Sequence, residues 1–304
     1  MTLEISLALI ALIAALIWRR APMRINRRFP PIGQFITVNG AKVHYRQTGA
    51  GPDVILLHGA SGNLREWEFG LRAALEGSYR VTAFDRPGHG YSDAISGNEH
   101  LADSAAHLRA AADELGIRDF ILLGHSYGGS VALAWAVQAA PRALVLISAP
   151  SLPWPGKLDP WYRLNEQPLI AAVLVRLAAV LVPMFYIKAT VRQVFAPDPV
   201  PDDYMQRMGL ALTLRVGSLR ANVAQVNTLL PDIRGQMADY PRLQMPIEMI
   251  HGDRDTIVPP AIHSIPFAAQ RPNATLQMIA GAGHMPHHSH LDQTVAAIHR
   301  ALQP

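Results

Sequence analysis

The chain has 304 residues, half of them hydrophobic, with a formal net charge of +4 and no cysteine. That length suits one large α/β domain carrying an insertion, or two small domains, with ample apolar side chains for a core. The lack of cysteine excludes disulfides, thiol catalysis and cysteine-based metal sites. The positive excess lies in one short segment (Arg19, Arg20, Arg24, Arg27 and Arg28), so a nucleic-acid footprint is not supported.

The first element is Ile5–Trp18, an apolar run interrupted only by Ser6 and followed at once by Arg19-Arg20. It is shorter than the span of about 20 apolar residues that crosses a bilayer comfortably, although thinning and arginine snorkelling tolerate this. Arginines stand where a signal peptide would be cut. The run has no polar face, unlike a helix that lies on a membrane. These features predict an uncleaved membrane anchor with the arginine cluster holding the rest of the chain on the cytoplasmic side. A tail on a cytoplasmic protein is the alternative. Pro30-Pro31 and Gly33 read as the linker that closes this first unit, residues 1–33.

Two short alternating segments follow, Phe35–Val38 and Lys42–Arg46, joined by the hairpin signal Asn39-Gly40. From Val54 the pattern becomes continuous apolar runs, the kind buried on both faces of a parallel sheet: Val54–Leu57, Val81–Phe84, Phe120–Leu123, Ala143–Ile147, Ile247–Ile250 and Leu276–Ile279. Helical segments are predicted over Leu64–Leu75, Leu101–Leu115, Tyr127–Ala139, Ala261–Gln270 and Leu291–Leu302. This alternation implies an α/β fold, a mostly parallel sheet with helices on both faces, built from residues 34–150 and 245–304.

Between them, residues 151–244 break the alternation with proline-rich turns and several helical segments, and read as an inserted helical cap. Leu169–Phe185 is apolar enough to suggest a membrane span. Arg176 would then sit in mid-membrane at a cost of about 2.5–3.5 kcal/mol, and the strands on either side would be parted by the bilayer. The apolar residues of the insertion are therefore expected to form its own core.

The chemistry centres on Gly124-His-Ser126-Tyr-Gly128, placed between an apolar strand and a helix. A sharp strand-to-helix turn can lift Ser126 out of the sheet, provided its flanks lack bulk. The helix that starts there aims N–H groups at negative charge forming beside the serine. A serine hydroxyl needs a base, and the base an orienting carboxylate. Asp253 and Asp255 follow one later strand end and His284 follows the next, giving the order Ser, Asp, His.

With these motifs in place, the chain resembles the α/β-hydrolase superfamily from about residue 34 to 304. His58-Gly59-Ala60-Ser-Gly62 resembles the oxyanion loop, and Asp85-Arg-Pro-Gly-His-Gly-Tyr-Ser-Asp93 the loop after the next strand. Gly124–Gly128 resembles the nucleophile elbow and Gly281-Ala-Gly-His284 the histidine loop. The resemblance implies Ser126 as nucleophile, His284 as base and Asp255 as its orienting acid, because Gly252, Asp255, Val258 and Pro259 fit the family's G-x-x-D-x-x-V-P pattern. Asp253 then serves as a turn cap. The resemblance also implies an oxyanion hole from the backbone N–H groups of Ala60 and Tyr127.

No cofactor and no metal are expected. His287, His288 and His290 are read as a solvated loop face, and His58, His89 and His125 as structural residues beside the loops. Trp67, Trp154 and Trp161 are candidate pocket residues, each of which could equally pack. Such families cleave esters, lactones or C–C bonds, or act as cofactor-free haloperoxidases. Those using an aspartate nucleophile, the dehalogenases and epoxide hydrolases, are disfavoured by serine at 126. The expectation is a serine hydrolase acting on an ester-type bond of a small hydrophobic substrate. The other Ser-Asp-His chemistries remain open, as does a non-catalytic accessory protein of the same fold.

Overall fold

The computed structural model describes residues 23–301 except residue 98; the apolar run Ile5–Trp18 lies outside the described residues. A first hairpin pairs β1 (Gln34–Val38) with β2 (Ala41–Thr48), with Val38 opposite Ala41. Asn39 and Gly40 are left as a two-residue turn with φ of 51° and 79°. Both positions need the left-handed region, which Asn and Gly tolerate best.

The remaining strands are β3 (Asp53–Leu57), β4 (Arg80–Phe84), β5 (Phe120–His125), β6 (Ala143–Ile147), β7 (Ile247–Gly252) and β8 (Ala274–Ile279). They form one eight-stranded sheet in the order β1-β2-β4-β3-β5-β6-β7-β8. Only the pairs made by β2 are antiparallel; from β4 to β8 the sheet is parallel.

Every residue of β3, β5, β6 and β7 is buried. Their side chains divide between two cores with the strand period of two. Ile55, Leu57, Leu122, Leu144 and Leu146 enter one, while Val54, Leu56, Ile121, Leu123, Val145 and Ile147 enter the other. The first core is covered by α2 (Leu101–Glu114) and α3 (Tyr127–Gln138), the second by α1 (Leu71–Leu75) and, late in the chain, α12 (Leu291–Arg300). Crossover helices on both faces explain why the strands lack alternation.

The predicted helix over Leu64–Leu75 is two pieces. A 3-10 turn (Leu64–Phe69) ends at Gly70, whose φ of 137° breaks it from α1. The predicted helix from Ala261 is shorter, α10 (Ser264–Ala269). A further short helix, α11 (Pro286–Ser289), precedes α12.

Between β6 and β7 the chain is helical: α4 (Pro160–Leu164), α5 (Pro168–Leu181), α6 (Met184–Phe195), α7 (Tyr204–Arg207), α8 (Leu210–Thr213) and α9 (Val216–Gln236). Two small apolar clusters hold them. Phe195, Tyr204 and Met208 pack with Met285 of the histidine loop, and Val175 of α5 packs with Leu219 and Val223 of α9.

The expectation that the apolar residues of this insertion form its core fails over α5 and the start of α6. Of residues 169–185 only Val175 is buried. Leu169 is 85% exposed, Leu181 66% and Phe185 74%. The reason is geometric: among the described residues α5 packs through Val175, Ala178 and Ala179, and its opposite arc stays exposed.

Candidate active site

The turn after β5 carries Ser126 at φ 49° and ψ −124°. A non-glycine residue in that region costs about 1–3 kcal/mol and persists only where its surroundings enforce it. Close packing enforces it here. A Cβ on Gly124 would lie 2.3 Å from the Gly128 carbonyl, and one on Gly128 would lie 2.2 Å from the Leu57 carbonyl. The N–H of Ser126 is held by the Ile147 carbonyl at 2.8 Å. The serine thus stands at the start of α3 while its hydroxyl stays partly exposed.

His284 follows β8 in a tight loop. Its Nε2 lies 3.0 Å from Ser126 Oγ, and its Nδ1 lies 2.8 Å from Asp255 Oδ2. Asp255 is itself fixed: Oδ1 accepts from the N–H groups of Ile257 and Val258, both at 2.9 Å. The structure therefore brings Ser126, His284 and Asp255 together across 129 and 29 positions of chain (255 − 126 and 284 − 255). Asp253 stands apart; its Oδ1 accepts from the Gly281 N–H at 2.7 Å and so closes the histidine loop.

Burial lowers the affinity of the His284 imidazole for a proton, with Asp255 opposing, and the ring is held below its ordinary range. Burial pushes the Asp255 carboxyl up, but His284 and His251 beside it outweigh this and hold it well below the usual carboxylate range. At neutral pH the pair is a neutral imidazole and a carboxylate, the states in which Nδ1–H donates to the acid and Nε2 can accept from Ser126.

The loop after β3 lies against the serine: a Cβ on Gly59 would stand 3.3 Å from Ser126 Cβ. Among the described residues, the backbone N–H groups of Ala60 and Tyr127 donate to no protein acceptor. The fully buried Arg86 staples this loop, donating to the His58 carbonyl at 2.9 Å, the Gly59 carbonyl at 3.0 Å and Gln225 Oε1 of α9 at 2.5 Å. Its guanidinium also sits 4.4 Å from the Tyr127 ring centre. Burial lowers its pKa only to about 10, so it stays charged. Asn222 of α9 accepts from the Ser61 N–H at 2.7 Å, and Thr213 donates to the Ser61 carbonyl at 2.7 Å. The helical insertion thus fixes Ser61 directly and Gly59 through Arg86.

Several sequence-based expectations change. Trp67 is fully buried in the second core and packs 5.4 Å from the His287 ring; it is a core residue, not a pocket wall. Trp154 is half-buried against the first core and the His263 ring, and Trp161 packs with the α5–α9 cluster. His287 is buried and His288 partly so, in place of the solvated face expected of them. His288 packs among the rings of Phe69, Phe195 and Tyr204, and His287 turns inward to Glu66, which no motif had marked. Its carboxylate is buried, with Oε1 2.7 Å from His125 Nδ1 and 3.3 Å from His287 Nε2. Burial pushes this carboxyl up, but the neighbouring His125 and His287 prevail and hold it well below its ordinary value. Burial takes His287 down to about 4. His125 Nε2 in turn reaches the His284 carbonyl at 3.2 Å.

Among the described residues, Glu66, His125 and His287 are the one group whose ligand-type atoms (all within 4.8 Å of one another) could hold a metal ion. His251 is a second residue the motifs had not marked, with Nε2 2.7 Å from the Val258 carbonyl and 3.1 Å from Asp255 Oδ2. A surface cleft of about 490 Å³, bounded by Ile25, Tyr91, Val180 and Arg215 among others, contains none of Ser126, Asp255 and His284.

A doubly covered parallel sheet with a strained serine elbow and a histidine after its last strand defines a class. Residues 54–297 match the alpha/beta hydrolase family, and the chain belongs to it. An uncharacterized protein of Mycobacterium tuberculosis is 29% identical over 268 residues, covering 85% of this chain and 77% of that one. The pimeloyl-(acyl-carrier protein) methyl ester esterase of Aliivibrio salmonicida is 27% identical over 266 residues, covering 86% and 96%. Among solved structures, a hydrolase from Pseudomonas aeruginosa superposes with a TM-score of 0.72 at 24% identity, covering 90% of this chain and 100% of that one. That likeness speaks to the fold.

Proposed function

We propose that this hydrolase cleaves an ester-type bond of a small hydrophobic substrate through an acyl-enzyme on Ser126. The observation that carries the reading is the continuous chain from Ser126 Oγ through His284 to Asp255, with contacts of 3.0 and 2.8 Å. As Oγ attacks the acyl carbonyl, its proton passes to Nε2. Asp255 holds the ring in the tautomer that can receive it and stabilises the charge that forms. The same proton then goes to the leaving alkoxide. Water, deprotonated by His284, releases the acid and restores the serine.

The tetrahedral oxyanion is assigned to the Ala60 and Tyr127 N–H groups. Losing one such donor typically costs about 10²–10³ in rate. The methyl ester esterases among the relatives support an ester as the bond cleaved. The anchor reading of Ile5–Trp18 rests on its sequence.

The test is fluorophosphonate labelling of the purified full chain, followed by a panel of p-nitrophenyl esters of increasing acyl length. Stoichiometric labelling of wild type, none of Ser126→Ala, and turnover of at least one short ester are expected. Wild-type protein that takes no label would make this a non-catalytic member of the fold. Labelling without ester turnover would move the reading to lactones or C–C bonds.

A further inference from the structure

The exposed face of α5 and the turn into α6 is a feature of the surface that the active site does not explain. Leu169, Val173, Leu177, Leu181, Phe185 and Tyr186 are all exposed, Tyr186 by 61%. At about 100° per helical residue, the exposed apolar positions of α5 fall on one arc and Arg176 falls at its edge. An arginine there can snorkel to a polar boundary. Scattered surface apolar residues are ordinary, but a contiguous patch marks a contact surface.

We infer that this face docks on the surface of an anionic bilayer, with the bend between α5 and α6 at 181–186 as its deepest point. Charge selects the occupant. Residues 168–195 contain Arg176, Lys188 and Arg192 and no acidic residue, and no acidic residue lies between Glu4 and Asp53. Two copies of the chain meeting through this face would bring like charges together, whereas anionic headgroups complement them. Aromatic Phe185 and Tyr186 beside Lys188 give the composition of a membrane–water boundary.

The position of the N-terminal segment agrees. The helix at 23–28 contributes Ile25 to the cleft that Ala179 and Val180 of α5 also line. The chain therefore enters the described fold beside the apolar face, preceded in sequence by the arginines and by Ile5–Trp18.

The face lies on the bilayer and does not cross it. Among the described residues no single helix is long and apolar enough to span, and α5 and α6 together are bent by 101°. β6 and β7, from which the insertion leaves and to which it returns, are hydrogen-bonded neighbours, so both ends lie on one side. The inference does not depend on the esterase reading, since docking needs no serine.

The natural absence of cysteine makes the test clean. A nitroxide on Leu181→Cys in the full chain is measured with and without mixed phosphatidylcholine–phosphatidylserine vesicles. The same label on the exposed Asp119→Cys serves as control. The label at 181 should be open to water without vesicles and enter the oxygen-rich, nickel-excluded zone with them, while that at 119 stays in water. Carried with the label at 181, Leu177→Glu with Phe185→Glu should return that label to water on vesicle-bound protein, without changing circular dichroism or fluorophosphonate labelling. A label at 181 that is already buried without lipid would mean that residues 5–18 or a second copy cover the face, and overturns the proposal. A label at 181 that stays in water on vesicle-bound protein, or one that the double variant leaves in the lipid zone, overturns it too.

Discussion

Asp255→Asn isolates the role of the acid without emptying its site. The structure fixes how the new amide must sit. Oδ1 accepts two backbone N–H bonds, from Ile257 and Val258 at 2.9 Å, and a nitrogen cannot take that place without opposing two donors. The amide NH₂ must therefore occupy the Oδ2 position, 2.8 Å from His284 Nδ1. As a donor it requires Nδ1 to be the acceptor, so the imidazole proton moves to Nε2, the nitrogen 3.0 Å from Ser126 Oγ. His284 then stays in place but cannot receive the serine proton. A wrong-tautomer triad of this kind loses about 10⁴ in kcat, which corresponds to about 5.4 kcal/mol at the transition state.

The assay is ester turnover with circular dichroism and thermal unfolding as controls. Asp253→Asn is the matched comparison, because its amide oxygen can still accept from Gly281; it should change turnover less than about twofold. Turnover of Asp255→Asn above about a tenth of wild type, in folded protein, would refute the reasoning, because it would show that His284 does not depend on this carboxylate for its tautomer.

Two further outcomes concern the fold beneath the site. His58 and His287 are buried and each is lowered by desolvation from 6.5 to about 4. The unfolded chain therefore binds more protons between these values. Stability is complete above about pH 6.5 and declines as pH falls toward 4, by about 3 kcal/mol for each group. Urea unfolding at stepped pH measures this, and a flat profile from pH 7.5 to 5 would mean that the two rings are solvated in solution. Gly128→Ala forces a Cβ to 2.2 Å from the Leu57 carbonyl. It should lower stability by about 1–3 kcal/mol and reduce turnover by displacing the elbow. Gly77→Ala, which meets nothing within 4 Å, should change stability by less than about 0.5 kcal/mol; equal losses in the two variants would contradict the packing argument.

Much of this protein is legible along its sequence because the forces involved are local. Asn39-Gly40 specifies a turn by its own backbone freedom. The apolar runs specify buried strands by the absence of any polar face. Gly124 and Gly128 flank a serine whose backbone angle only a crowded turn would impose. Loop order then carries Asp255 and His284 to neighbouring strand ends of a parallel sheet.

What the sequence leaves open depends on distant partners. Asp253 and Asp255 follow the same strand two residues apart, and only the packed loop turns one toward His284 and the other toward Gly281. Trp67 and His287 carry no local mark of their burial, since Glu66 reaches His287 across 221 positions of chain (287 − 66). The apolar stretch at 169–185 reads the same whether it fills a core or faces outward. Tertiary structure decides that by packing α5 among the described residues along one edge only, so that hydrophobicity, which sequence reports, and burial, which needs a partner surface, come apart.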